Sequence, residues 1–191
     1  MPEFTPFNFD PTAFMSGQVG SKLWLCEMLE PIIRDRFEYA PDIWILGGWY
    51  GMTNFLLQSR DADVGLVTSF DIDPEATRGA MILNEAYVHL GSFHAETADA
   101  NVLDYGTPPP IVINTSAEHM ESRQWFEIIP KGTTVVVQTN DMPHDDHVFA
   151  HHSIDDLKKE FPMSGGYYFT GELPFHYDEW SFTRFMTIGT K

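Results

Sequence analysis

The spacing of apolar residues changes character several times along the chain, and each change marks an element. Val19, Leu23, Met28 or Leu29 and Ile32 recur at helical intervals, which predicts a helix over Ser16 to Arg36 after an irregular start. Beyond Pro41, Ile43 to Leu46 is a short unbroken apolar run, as expected for a strand buried on both faces of a parallel sheet. Glycines at 47, 48 and 51 interrupt the pattern, and Met52, Phe55 and Leu56 resume it at helical spacing, so a helix starts at the glycines. The alternation then repeats. "VGLVTSFDID" predicts a second strand and an acidic turn, and "PEATRGAMILNEAYVHL" one continuous helix with proline at its start. "SFHAETAD", "PPPIVINTS" and "GTTVVVQTN" predict three more strands. A helix is expected from Ala117 to Ile129 and another, capped by its serine, over "SIDDLKKEFP". Such alternation implies a parallel α/β sheet with helices on both faces. The ending differs, because "GGYYFTGELPF" and "WSFTRFMTIG" are two alternating aromatic runs with no helix between them, which predicts an antiparallel hairpin.

Composition narrows this picture. A chain of 191 residues that is 43% hydrophobic supplies the core for one domain, taken as residues 1–191, with an N-terminal helical cover over 1–40 and the sheet core over 41–191. The formal charge of −17, from 28 acidic against 11 basic residues, disfavours a nucleic acid polymer as partner, since phosphate binding needs clustered Lys and Arg. The single cysteine, Cys26, lies in "KLWLCEML", where it reads as a small apolar side chain rather than a reactive thiol. Neither a signal-like start nor an apolar run of about 18 residues is present, so a cytoplasmic protein with no membrane partner is expected.

Ligands of open α/β sheets bind beyond the carboxyl ends of the strands, so the turns after each strand hold the candidate chemistry. After the first strand, Gly47, Gly48 and Gly51 of "GGWYG" permit close backbone approach to a ligand and expose amides at a helix start. The dinucleotide pattern G-x-G-x-x-G fails here, because Trp49 and Met52 stand where glycines are required, and the P-loop lacks its Gly-Lys-Ser/Thr ending. Asp71 lies twenty residues beyond Gly51, where an acid can accept hydrogen bonds from ribose hydroxyls, whereas Asp73 before Pro74 is assigned to helix capping. Asp99 follows the third strand. Asn114 ends the fourth, followed by Glu118 and His119, where a carboxylate beside a histidine could serve as a general base or merely answer a helix dipole.

This order of features resembles the class I S-adenosylmethionine-dependent methyltransferases, over nearly the whole chain from Asp42 onward. The resemblance implies a three-layer Rossmann-like sandwich with a seven-stranded, mostly parallel sheet of order 3-2-1-4-5-7-6 and a C-terminal antiparallel hairpin. It implies that Gly47, Gly48, Trp49 and Gly51 form the turn around the methionine part of the cofactor. Asp71 would hold the ribose, Ile72 would pack on the adenine, Asp99 would read the adenine amino group, and Asn114 would contact the amino acid end. Ile45 stands where the family has an anchoring acid and Trp49 where it has its middle glycine, so the cofactor's ammonium needs other acceptors, such as the Gly47 carbonyl or the Asn114 to Ser116 region. The implied activity is methyl transfer to a small-molecule or nucleotide acceptor, with Glu118 and His119 as the catalytic pair. Transfer of the aminocarboxypropyl arm, or cofactor binding without catalysis, are the alternatives.

Two further groups stand out. "HDDHVFAHH" offers His144, His147 and His151 at spacings of three and four, a pattern compatible with metal ligation, but a loop after the fifth strand is ordinarily solvated and no metal is assigned to it. It is also a candidate lid over the substrate. Gln18, Ser21, Lys22 and Trp24 on the first helix are candidates for a substrate cover.

Overall fold

The computed structural model describes residues 6–60 and 62–191. Helix α1 (Ser16–Arg36) precedes strand β1 (Ile43–Leu46), helix α2 (Met52–Ser59) and strand β2 (Val67–Asp71). Helices α3 (Pro74–Leu83) and α4 (Glu85–His89) lead to β3 (Phe93–Thr97), and β4 (Ile111–Asn114) is followed by the short α5 (Gln124–Glu127). Strand β5 (Thr134–Asn140), helix α6 (Ile154–Glu160) and the paired strands β6 (Tyr167–His176) and β7 (Ser181–Thr190) complete the chain. The seven strands form one sheet in the order β3-β2-β1-β4-β5-β7-β6. The first five are mutually parallel, and β7 runs antiparallel to both β5 and β6, so the expected topology and hairpin are both present.

The central strands are buried on both sides, because each sends alternate residues to opposite faces and both faces are covered. Ile43, Ile45, Ile111, Ile113, Val136, Met186 and Ile188 pack with Leu25, Leu29 and Ile33 of α1 and with Leu56 and Leu57 of α2. Leu46, Val112, Val135, Val137 and Phe185 face the other way, onto Trp125 and Phe126 of α5 and Leu157 of α6. Helix α1 is therefore a full layer of the core. Ser21 and Lys22 are buried, and Trp24 packs edge-on against Phe169 of β6 at 5.7 Å between centroids, which withdraws these three from the role of a ligand cover. Cys26 is buried in the same layer, where burial pushes its thiol up to about 12, as an inert cysteine requires.

Two expected helices differ from what forms. The run from Pro74 to Leu90 breaks at Asn84, which is fully buried and turns its side chain back onto the core. Its Nδ2 donates to the carbonyls of Ala80 and Gly51, and its Oδ1 accepts from Asn54 Nδ2 at 2.9 Å. This network ties the break to the glycine turn, because a side chain on Gly51, whose φ is 70°, would come 2.6 Å from Asn84 Nδ2. The helix expected over Ala117 to Ile129 is a 3-10 turn at Ala117–His119 followed by α5 alone. Between them Ser122 Oγ accepts the Gln124 amide, a local side-chain bond that competes with a helix running through.

Candidate functional site

The carboxyl edges of β1, β2 and β4 meet the glycine turn, and the turn is held there by specific contacts. Gly48 sits so close to β2 that a Cβ would lie 1.9 Å from Ser69 Oγ, and Gly48 N–H donates to the Phe70 carbonyl at 3.1 Å. Gly47 adopts a φ of 63° and its carbonyl accepts from Ser116 Oγ at 2.9 Å, which binds the turn to the segment after β4. Trp49 is the sole described residue other than glycine with positive φ, at 47°, a conformation that costs an L-residue on the order of 1 kcal/mol. Two interactions hold it there. Its N–H donates to Asp71 Oδ2 at 2.8 Å, and its ring stacks on Tyr50 at 4.9 Å, which in turn meets Phe7 and Phe9 edge-on.

Asp71 is half-buried at the tip of β2, and its Oδ1 accepts the Asp73 amide at 3.1 Å. Burial raises its pKa, with the amides of Asp73 and Trp49 opposing the rise. Each carboxylate oxygen retains a lone pair beyond these bonds, so Asp71 can still accept from a ligand. Ile72 beside it is 73% exposed, an apolar side chain without cover at the mouth of the turn. Asp73 caps α3 as the sequence implies, accepting the Glu75 amide at 2.9 Å. Asp99 caps the 3-10 turn Ala100–Val102 with Oδ1, which leaves Oδ2 free of that duty.

Asn114 departs from expectation. Its side chain is 0% exposed; Oδ1 accepts the Ser116 amide at 2.9 Å and Nδ2 points to Met120 sulfur at 3.2 Å. Asn114 thereby shapes the loop, and Ser116 is the partly exposed group beside it.

Glu118 also has a different setting from a free base. It is 1% exposed, and its Oε1 receives Arg184 of β7 at 3.0 Å and the Asn140 side-chain amide. Asn140 and Arg184 are directly opposed across β5 and β7, and both lie on the α1 face of the sheet, being in step with Val136 and Met186. Lys22 of α1 completes this cluster, donating to Gln18 Oε1 at 2.9 Å. Burial, and secondarily repulsion by Arg184, push the Lys22 amine down to about 7. Because the unfolded chain holds that proton up to about pH 10.5, native stability rises with pH between about 7 and 10.5 on this account. Lys22→Met should therefore raise the melting temperature at pH 6 by on the order of 5 °C, and the gain should shrink as pH approaches 10. Thermal denaturation across that range checks it.

The histidine loop folds over the exit of β4. Val148 and Phe149 amides donate to the Glu118 carbonyl, the shorter at 2.8 Å. His119, exposed, meets His147 with ring centroids 4.7 Å apart. Of the set His144, His147 and His151, the first two meet with ring centroids 5.4 Å apart, whereas His151 is buried, with Nδ1 at 3.2 Å from Thr139 Oγ1. Asn140 and Arg184 were absent from the sequence-based site, and Lys22 entered it only as a candidate for the substrate cover. The available signal was polar residues at inward positions of otherwise apolar strands, as in "FTRF". A shallow cleft lined by Arg36, Tyr39, Asp42 and Pro110 lies at the amino ends of β1 and β4, across the sheet from all of these groups.

Neither a protein-family model nor a curated protein sequence matches the chain. Solved structures do. The YcgJ protein from Bacillus subtilis is similar with a TM-score of 0.67 at 12% identity, over 90% of this chain and 98% of that one. Magnesium protoporphyrin IX methyltransferase (ChlM) from Synechocystis PCC 6803, with bound S-adenosylmethionine, gives 0.66 at 13% identity over 97% and 86% of the two chains. The same enzyme with bound S-adenosylhomocysteine gives 0.67 at 13%, over 97% and 89%. At these identities the likeness concerns the fold, and the fold is shown: the chain has the seven-stranded Rossmann-like architecture of ChlM, as the sequence resemblance implied.

Proposed function

We propose that the protein is an enzyme that binds S-adenosylmethionine at the carboxyl edge of β1, β2 and β4 and transfers its methyl group to a small-molecule or nucleotide acceptor. The observation that carries this reading is Asp71: a half-buried carboxylate at the tip of β2, held against the glycine turn by the Trp49 amide, with Ile72 exposed beside it. These residues fit the cofactor. On this reading the carboxylate would accept from the ribose hydroxyls, Ile72 would pack on the adenine, and Asp99 Oδ2 would be the acceptor for the adenine amino group. Gly47, Gly48 and Gly51 bring backbone close to the methionine part, and the Gly47 carbonyl and Ser116 offer the polar contacts that Ile45, buried in the sheet, does not. When bound, the cofactor supplies an electrophilic methyl group on a sulfonium. The chain's own work is then to align an acceptor, exclude water and manage the acceptor's proton. His119, exposed at the exit of β4, and Glu118 behind it are the groups proposed for the proton. A cytoplasmic location belongs to the same reading, and among the described residues no helix is long and apolar enough to cross a membrane.

A second reading rests on Trp49. An indole held in a left-handed conformation inside the turn changes the pocket around the methionine arm. That arrangement leaves room for transfer of the aminocarboxypropyl group, or for binding without turnover, as the alternatives to methyl transfer. Cofactor binding itself is tested by calorimetric titration with S-adenosylmethionine and S-adenosylhomocysteine. One site per chain for both is expected, and no heat with either ligand would remove the proposal.

A further inference from the structure

We propose that Glu118, His119 and His147 form a binding site for a divalent transition metal ion such as Mn²⁺, Co²⁺ or Zn²⁺. One potential ligand atom from each of the three lies within 4.8 Å of the other two. Bonds of about 2.1 Å would set neighbouring donors roughly 3 to 3.5 Å apart, so side-chain rotations of about 1 Å close the site.

Independent features point the same way. Glu118 is almost completely buried, yet only its Oε1 is engaged, by Arg184 and Asn140; Oε2 has no hydrogen-bond partner. A buried carboxylate oxygen left without a partner is costly and calls for a ligand. Both histidines are prepared for ligation by the same device. His119 Nδ1 lies 3.2 Å from the Asp146 carbonyl and His147 Nδ1 lies 2.8 Å from the Met142 carbonyl. A carbonyl accepts only, so in the neutral imidazole each Nδ1 carries the proton and leaves Nε2 its lone pair, the tautomer that metal-bound imidazoles hold through an outer hydrogen bond. The Arg184 and Asn140 bonds orient the carboxylate in the same manner.

Two imidazoles with one carboxylate suit transition metals better than Mg²⁺ or Ca²⁺, which favour all-oxygen sets. The charge around the site is mixed. Arg184 and Lys22 oppose a cation from the sheet side, while the loop that carries His147 is acidic, with Asp145 and Asp146 beside it in sequence. Three protein donors also leave coordination positions open. On the methyl-transfer reading, on which this last step rests, an acceptor hydroxyl bound at an open position would lose its proton more readily, so Glu118 and His119 would act through the ion rather than as bases.

The test needs neither the cofactor nor an acceptor, so its failure and failure of the methyl-transfer reading are distinguishable. Chelator-treated protein is titrated with Co²⁺ by visible absorption and with Mn²⁺, Zn²⁺ and Mg²⁺ by calorimetry, with circular dichroism confirming that each variant is folded. The expected result is one Co²⁺ per chain, with binding weakened at least tenfold in His119→Ala and in His147→Ala and unchanged in His89→Ala and His152→Ala. The absence of stoichiometric binding by the parent, or binding that survives His119→Ala and His147→Ala, overturns the proposal.

Discussion

Replacing Asp71 with alanine should lower the affinity for S-adenosylmethionine about 100-fold, the equivalent of two hydrogen bonds to a charged group. The carboxylate serves twice. It accepts the Trp49 amide that holds the glycine turn in place, and it offers its remaining lone pairs to the ribose. Asp71→Asn retains an acceptor oxygen but loses the charge, so its loss should be smaller, on the order of tenfold. Calorimetric titration of the parent and both variants measures this. Equal affinity for Asp71→Ala and the parent would remove Asp71 from the site.

The largest effect on stability is expected at Arg184. In Arg184→Met the Glu118 carboxylate stays buried without its guanidinium, a change that costs roughly 3 to 5 kcal/mol when one partner of a buried pair is removed. Lys22 offsets part of this, since the Arg184 charge is one of the causes that depress its amine. A drop in melting temperature of about 10 °C is expected for a chain of 191 residues. Glu118→Gln combined with Arg184→Met should recover most of it, because no uncompensated carboxylate remains. Thermal melts of the two single variants and the double variant give the coupling directly. Additive losses would show that the pair does not act as a unit.

The sequence carried the fold further than it carried the site, for identifiable reasons. Runs such as Ile43 to Leu46 and "VVVQTN" lie in strands that are buried on both faces, and the missing helix before the last strand specified the hairpin; these are local patterns with a fixed period. The helix break at Asn84 was hidden because its cause is not local: the side chain bonds to Gly51 and Asn54, more than thirty and exactly thirty positions away respectively, in a buried network. The segment after β4 misled for a similar reason, as its conformation is set by Ser116 reaching Gly47 and by Glu118 reaching Arg184. Asp71 and the glycines were legible because turn and acid stand at the ends of adjacent strands. The Glu118, His119 and His147 grouping was not, since His147 reaches it through a loop that the periodicity left without a predicted course.

The most direct test of the central claim is the identity of the nucleoside left after turnover. The protein is incubated with S-adenosylmethionine and a cell extract, and the leaving nucleoside and modified acceptor are identified by mass spectrometry. Methyl transfer predicts S-adenosylhomocysteine together with an acceptor heavier by one methylene unit. Methylthioadenosine, or no enzyme-dependent product, would contradict it.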